Sequence, residues 1–296
     1  MTSSLARWGG TGRYADIDGP VHYVDFGGPA DGVPMVMVHG LGGSHLDFSL
    51  LAPRMTGRFR VLAPDLLGHG LTAPDHRTST IAANTDLIDR FIRTVADRPV
   101  VLVGNSMGGL IAARQAARHP ETVARLVLID PALPLVPRSR LDVAAAMIFG
   151  RLALPLGRPI LAFRRRNRTA RQQVREAYDR CCVDPSRVPE SLIVALVELI
   201  EHRESLPGID DAFLASARTL LDINNARRAA WAALGDIVAP VLLIHGEQDR
   251  LVSVASAREA ARRLPQWTVD VLPGLGHLPQ IEAPDRVASR IHNWVG

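Results

Sequence analysis

Residues 104 to 109 read Gly104-Asn105-Ser106-Met107-Gly108-Gly109. A serine with a glycine two places to either side suits a tight, strained turn that holds the hydroxyl where a base can reach it, because a Cβ at either glycine would obstruct the turn. The neighbours supply the setting such a turn needs. Pro99-Val100-Val101-Leu102-Val103 is a short apolar run of the kind that forms a buried strand, and Leu110 to Arg118 is rich in helix formers until His119-Pro120 stops it. Strand, turn and helix in that order make Ser106 a candidate nucleophile for acyl transfer.

An activated serine needs a base, and the base needs an acid to orient it. On a strand-turn-helix nucleophile these follow in the order serine, acid, histidine. Asp249 stands in Ile244-His245-Gly246-Glu247-Gln248-Asp249, just past an apolar run, and His277 stands in Leu275-Gly276-His277-Leu278, just past the last one. Asp130, directly after Leu126 to Ile129, is the competing acid. His39, His69 and His245 precede or adjoin the wrong strands for a base and read as turn residues with local hydrogen bonds. His45 and Asp47 could contact substrate, although capping of a helix start is the simpler reading.

These residues are spread over much of the chain, so a scaffold must gather them. Tyr14 to Asp25 alternates polar and apolar around Asp18-Gly19, which predicts an antiparallel hairpin at a sheet edge. Apolar strand candidates follow at Met35 to Val38, Arg60 to Ala63, Val100 to Val103, Leu126 to Ile129, Val241 to Ile244 and Thr268 to Leu272, with helical stretches between most of them. That alternation predicts a mostly parallel sheet buried on both faces, with ligands bound at the carboxyl ends of its strands. Between Pro131 and Pro240 lie about 110 residues with helical patterns and no convincing strand, far beyond an ordinary connection. Residues 133–234 are therefore expected to form a helical cap, and residues 1–132 with 235–296 the core. Apolar cap positions such as Ile148, Phe149 and Leu152 are expected to set substrate choice, with the arginines near Arg165 facing water.

At this point the sequence resembles the α/β-hydrolase superfamily, over nearly its whole length, and its serine-nucleophile esterase and carbon–carbon hydrolase branch in particular. His39-Gly40-Leu41-Gly42-Gly43 resembles the oxyanion loop of that superfamily. Asp65-Leu66-Leu67-Gly68-His69-Gly70 resembles its Asp-x-x-Gly-His-Gly turn, and Gly276 to Pro284 the segment carrying its histidine. The resemblance implies an eight-stranded sheet flanked by helices with the cap inserted after strand six. It also implies an oxyanion hole made by the backbone N–H groups of Leu41 and Met107.

Ser106 at the elbow disfavours the dehalogenase and epoxide hydrolase branches, which use aspartate there, and the dienelactone branch, which uses cysteine. The cap also holds only Tyr178 where epoxide hydrolases use two tyrosines. Carboxylic ester hydrolysis is the leading expectation. Carbon–carbon bond hydrolysis of ring-cleavage products is the alternative, because Gly-Asn-Ser-Met-Gly-Gly resembles those enzymes; Leu278 stands where they usually carry tryptophan. A third reading is a small-ligand receptor on the same fold.

Composition sets the outer limits. All 34 basic residues are arginine, so neither a Schiff-base lysine nor a phosphate-binding Walker lysine exists. The net charge of +4 does not point to nucleic acid, and the cluster Arg164-Arg165-Arg166-Asn167-Arg168 lacks interleaved aromatics for base stacking. Cys181 and Cys182 are neighbours without metal-ligand spacing and read as reduced thiols in a helix. No metal or organic cofactor is expected, the partner is a small-molecule ester, and no apolar run suggests stable membrane association. Met1 to Gly10 has no apolar core of a secretory signal, so a cytoplasmic location is the expectation.

Overall fold

The computed structural model describes residues 9–136 and 157–296. Ile148, Phe149 and Leu152, along with residues 1–8, lie outside the described residues. Eight strands form one sheet in the order β1-β2-β4-β3-β5-β6-β7-β8. β1 (Thr11–Asp16) and β2 (Pro20–Gly27) make the expected hairpin, and β2 runs antiparallel to β4 (Phe59–Pro64). From β4 through β3 (Val33–Val38), β5 (Val100–Asn105), β6 (Val123–Ile129), β7 (Val241–Gly246) and β8 (Thr268–Leu272), every pairing is parallel.

The central strands read as unbroken apolar runs because both of their faces are covered. Along β5, Val100 and Leu102 join one core with Val36, Val38, Leu126 and Leu128. Val101 and Val103 join the opposite one with Met35, Met37, Val127 and Ile129. This is the two-residue period of a strand. Helices α1 (Ile81–Phe91) and α2 (Met107–Arg118) cover the first face, and the C-terminal helix Pro284–Val295 packs Val287 and Ile291 on the second. The sheet is thereby held rigidly enough to fix the turns at its carboxyl end.

Between β6 and β7 the described residues contain helices α3 (Gly157–Asn167), α4 (Ala170–Cys181), α5 (Glu190–Glu204), α6 (Ile209–Leu221) and α7 (Arg227–Gly235), and no strand. Thr169 starts α4 with a reciprocal capping box to Gln172. Val174 and Tyr178 of α4 and Leu192, Ile193 and Leu199 of α5 form an apolar cluster that closes on Leu46 and Ile281, two residues of the core segments. Trp231 and Leu234 of α7 instead join the core of the sheet. Among the described residues no helix is long and apolar enough to cross a membrane.

The arginine cluster is mostly exposed and also paired. Arg165 pairs with Asp210, Arg168 with Glu176, and Arg171 and Arg175 with Glu190. Arg164 and Arg165 also line the cavity described below. Arg165, Arg166 and Arg168 are exposed, as expected, with Arg164 half-buried, and acidic partners hold several of them in place.

Candidate active site

Ser106 sits between the last residue of β5 and the first of α2, at φ 54° and ψ −117°. A positive φ at a non-glycine residue costs on the order of 1–3 kcal/mol, so the surroundings must impose it. They do so through the backbone. The Ser106 N–H donates to the Ile129 carbonyl at 3.0 Å, while its own carbonyl accepts from Ala132 at 2.9 Å and Leu110 at 3.2 Å. A Cβ on Gly104 would collide with the Gly108 carbonyl, and one on Gly108 with the carbonyls of Val38 and His39. Both glycines are therefore required for helix α2 to start this close to the sheet.

His277 lies in the loop after β8, and its Nδ1 donates to Asp249 Oδ2 at 2.7 Å. The other oxygen of Asp249 accepts from the N–H groups of Leu251 at 2.7 Å and Val252 at 3.0 Å. Burial pushes the Asp249 carboxyl upward, but the attraction of His277 and His245 and the hydrogen bonds hold it below its ordinary range. It is a carboxylate. Asp130 behaves oppositely: burial and the neighbouring Asp249 charge drive it well above the usual range, which favours its protonated form. Its Oδ1 accepts from the Gly246 N–H at 2.8 Å and its Oδ2 is buried with no hydrogen-bond acceptor role filled. Asp249 is thus in contact with the histidine, while Asp130 backs onto the strand end behind it.

The backbone of His277 is also held. Its N–H donates to the Cys181 carbonyl at 2.6 Å, and its carbonyl accepts from Asn105 Nδ2 at 3.2 Å. Glu282 accepts from Gly276 with one oxygen at 2.7 Å and from Val183 and Asp184 with the other, at 2.9 and 3.1 Å. This buried carboxylate ties the histidine loop to the end of α4. Ser106 and His277 line one cavity, and among the described residues no hydrogen bond links the hydroxyl to the imidazole. Such bonds are commonly loose in unliganded enzymes and tighten with substrate.

The loop after β3 approaches Ser106 so closely that a Cβ on Gly40 would lie 3.1 Å from the serine Cβ. His39 Nδ1 donates to the Gly40 carbonyl at 2.8 Å, the Gly43 N–H donates to the same carbonyl at 3.1 Å, and His39 Nε2 accepts from Leu66 at 3.1 Å. Only the neutral Nδ1–H tautomer satisfies both ring contacts, and burial lowers the His39 pKa to about 4. Because the N–H of Leu41 belongs to the same peptide group as the Gly40 carbonyl, fixing that carbonyl aims the N–H the opposite way. The N–H of Met107 is a first-turn donor of α2 without an intrahelical acceptor. Neither N–H makes a hydrogen bond within the described chain.

The sequence model of the alpha/beta hydrolase family matches residues 35–290. The chain belongs to that family. It is 33% identical over 268 residues to the pimeloyl-[acyl-carrier protein] methyl ester esterase of Aromatoleum aromaticum, covering 88% of this chain and 97% of the relative. It is 30% identical over 269 residues to the magnesium-chelatase 30 kDa subunit of Rhodobacter capsulatus, covering 90% and 88%. Among solved structures, a thermophilic esterase from Thermogutta terrifontis shares the fold with a TM-score of 0.69 at 24% identity, over 96% of this chain and 98% of the other.

In this hydrolase the strand ends open into a cavity of about 1130 Å³. Its described wall is mainly apolar, with Leu133, Leu161, Val174, Leu199 and Phe213 among the contributors, and it reaches Ser106, Leu41 and His277. Asp47 also faces this space, and burial pushes its carboxyl up to about 7. The capping reading holds for Asp47, whose carboxyl accepts from the backbone N–H of Ser44 at the helix start, and is corrected for His45. Ser44 caps the short helix by accepting from Leu46, and His45 instead donates to Asp65.

Several contributors escape a reading of spacing. His22 and His45 converge on buried Asp65 at 2.8 and 3.0 Å, from three separate segments. Asp130, His245 and Asp249 form a second group of potential ligands. The first group is closed by hydrogen bonds among its own members and by the His45 and Leu71 N–H groups, and these fix the Asp65 turn. His245 Nε2 donates to the Val252 carbonyl at 3.1 Å, and burial lowers its pKa, so it is a neutral buttress for the Asp249 loop. Cys181 ends α4 and Cys182 follows it, both as free thiols.

Proposed function

We propose that the hydrolase cleaves carboxylic esters through an acyl-enzyme, with Ser106 as nucleophile, His277 as base and Asp249 as the orienting acid. The observation that carries this reading is the 2.7 Å His277–Asp249 hydrogen bond beside a cavity that also holds the Ser106 elbow. Since Nδ1 carries the proton given to Asp249, Nε2 is free to take the serine proton as Oγ attacks the ester carbonyl. The oxyanion that forms accepts from the N–H groups of Leu41 and Met107, each worth about 3 kcal/mol in serine hydrolases. Nε2 then returns the proton to the departing alkoxide. Water attacks the acyl-enzyme by the same route and releases the acid.

All groups needed for these steps are supplied by side chains and backbone, so the reaction calls for no metal or organic cofactor. Residues 133–234 serve as a cap over the strand ends in this proposal, and their apolar faces shape the acyl pocket. The second reading, carbon–carbon bond hydrolysis, is favoured by the Gly-Asn-Ser-Met-Gly-Gly string and opposed by Leu278 in the cavity wall.

The test is turnover of p-nitrophenyl esters beside a ring-cleavage product analogue, with fluorophosphonate labelling of wild type and Ser106→Ala. Multiple ester turnovers with labelling lost in Ser106→Ala are expected. Labelling that persists in the variant would remove Ser106 from its role, turnover of only the ring-cleavage analogue would favour the second reading, and a single turnover would favour a receptor.

A further inference from the structure

Five arginines of the segment between β6 and β7 reach the cavity wall: Arg158, Arg164, Arg165, Arg180 and Arg203. Arg158 pairs with Asp211, Arg165 with Asp210, and Arg164 approaches Glu176 at 3.9 Å. Arg203, near the end of α5, differs. Its Nη2 donates to the Gly68 carbonyl at 2.7 Å, and among the described residues no carboxylate lies within ion-pair distance of it. A guanidinium has five N–H donors in a fixed fork, so one carbonyl leaves most of them unanswered. Leu196, Leu199, Ile200 and Leu206 line the cavity nearby without an acceptor side chain, and Glu204, which also lines it, makes no ion pair with Arg203 among the described residues.

The environment makes this costly to leave as it is. Arg203 is half-buried, and burial lowers its pKa to about 10. Asp65 is the carboxylate that attracts it from a distance, but Asp65 is already committed to His22, His45 and the Leu71 N–H. A buried charge without a counter-charge is strongly disfavoured unless something supplies one. The open side of Arg203 is the cavity that Ser106 shares. The anion that fits there is one carried in by a ligand.

We infer that Arg203 is an anion anchor in the wall of the catalytic cavity, and that the ester accepted there bears a carboxylate on its acyl chain, away from the scissile carbonyl. This rests on the ester reading of the site for its reaction, though not for its binding. The planar fork meets a carboxylate through two parallel hydrogen bonds, and the apolar wall covers the methylenes between carboxylate and ester. The anchor thereby selects monoesters of dicarboxylic acids over plain fatty esters.

The experiment compares p-nitrophenyl monoesters of dicarboxylic acids with plain p-nitrophenyl esters of equal chain length, in wild type, Arg203→Gln and Arg203→Lys. Wild type is expected to favour the anionic series in kcat/KM. Arg203→Gln, which keeps a donor for the Gly68 carbonyl, should cut that preference about tenfold or more, the loss appearing in KM, with Arg203→Lys between. Calorimetric titration of Ser106→Ala with adipate, with and without Arg203→Gln, reads the same anchor without chemistry. Adipate binding that disappears with Arg203→Gln supports the anchor even if neither ester is turned over. A preference unchanged by Arg203→Gln overturns the inference. So does an equal loss on both ester series with a lowered melting temperature and unaltered adipate binding, for Arg203 is then a strut holding the Gly68 turn.

Discussion

The two acidic residues behind His277 provide the sharpest test of the proposed chemistry, because the same substitution should do opposite things at each. At Asp249, asparagine must still satisfy the Leu251 and Val252 N–H groups, which donate to Oδ1 at 2.7 and 3.0 Å. Its carbonyl oxygen is the only atom able to do so, and this turns the amide NH2 toward His277 Nδ1. The ring must then accept there, moving its proton to Nε2, where it faces the serine it should deprotonate. The imidazolium of the transition state also loses its counter-charge. For unit charges about 4 Å apart at an effective dielectric of about 20, that is about 4 kcal/mol, or roughly 10³ in rate. The misplaced proton adds about another tenfold, giving a loss of about 10⁴ in kcat, the order known for this change in serine proteases.

At Asp130 the substitution should be mild. Burial and the Asp249 charge favour its protonated form, and asparagine then keeps the acceptor for Gly246 and a hydrogen donor on the side facing Asp249. A change of less than about threefold in kcat is expected, since neutral hydrogen bonds are exchanged for similar ones. The assay is the kcat of a p-nitrophenyl ester at pH 8 for both variants, with circular dichroism to confirm that each folds. If Asp130→Asn loses 10³ or more, on the order predicted for its partner, while Asp249→Asn stays near wild type, the hydrogen-bond argument is refuted and Asp130 is the working acid.

Three further outcomes follow from the surroundings of the site. Glu282→Ala leaves three backbone N–H groups without their shared carboxylate, and should lower stability by about 3 kcal/mol in denaturant unfolding; an unchanged midpoint would mean the histidine loop is held elsewhere. His39 has a folded pKa of about 4 against an ordinary value of 6.5, so the unfolded chain binds the extra proton between those limits and stability falls as pH drops through them. The stability advantage of wild type over His39→Gln should therefore shrink by about 3 kcal/mol from pH 7 to pH 4, and a pH-independent difference would contradict the neutral tautomer. Burial pushes the Cys181 thiol up to about 12, so iodoacetamide at pH 7.5 should leave it unmodified until the protein is unfolded, which mass spectrometry reads directly.

What could be read in the chain beforehand was whatever depends on local order. The elbow at Ser106 is announced by glycines whose missing Cβ atoms admit the Gly108 and Val38 carbonyls, and the central strands by apolar runs covered on both faces. Thr268 to Leu272 was bounded correctly as β8, whereas α2 begins at Met107, three residues before the helix expected from Leu110, because the elbow itself opens into the first turn. Illegible features are those in which one side chain serves segments far apart. Glu282 reaches back 99 residues to Val183, and Arg203 reaches back 135 residues to Gly68. Both read as ordinary surface charges on a sequence. They become informative only when the fold puts one under the histidine loop and the other in the cavity wall, where charge must be matched or supplied by a ligand. In the proposed mechanism, local pattern carries the reaction and long-range placement carries the selectivity. A relative with the same elbow and histidine segment but an apolar residue at position 203 should keep the ester chemistry and lose the preference for an anionic acyl chain.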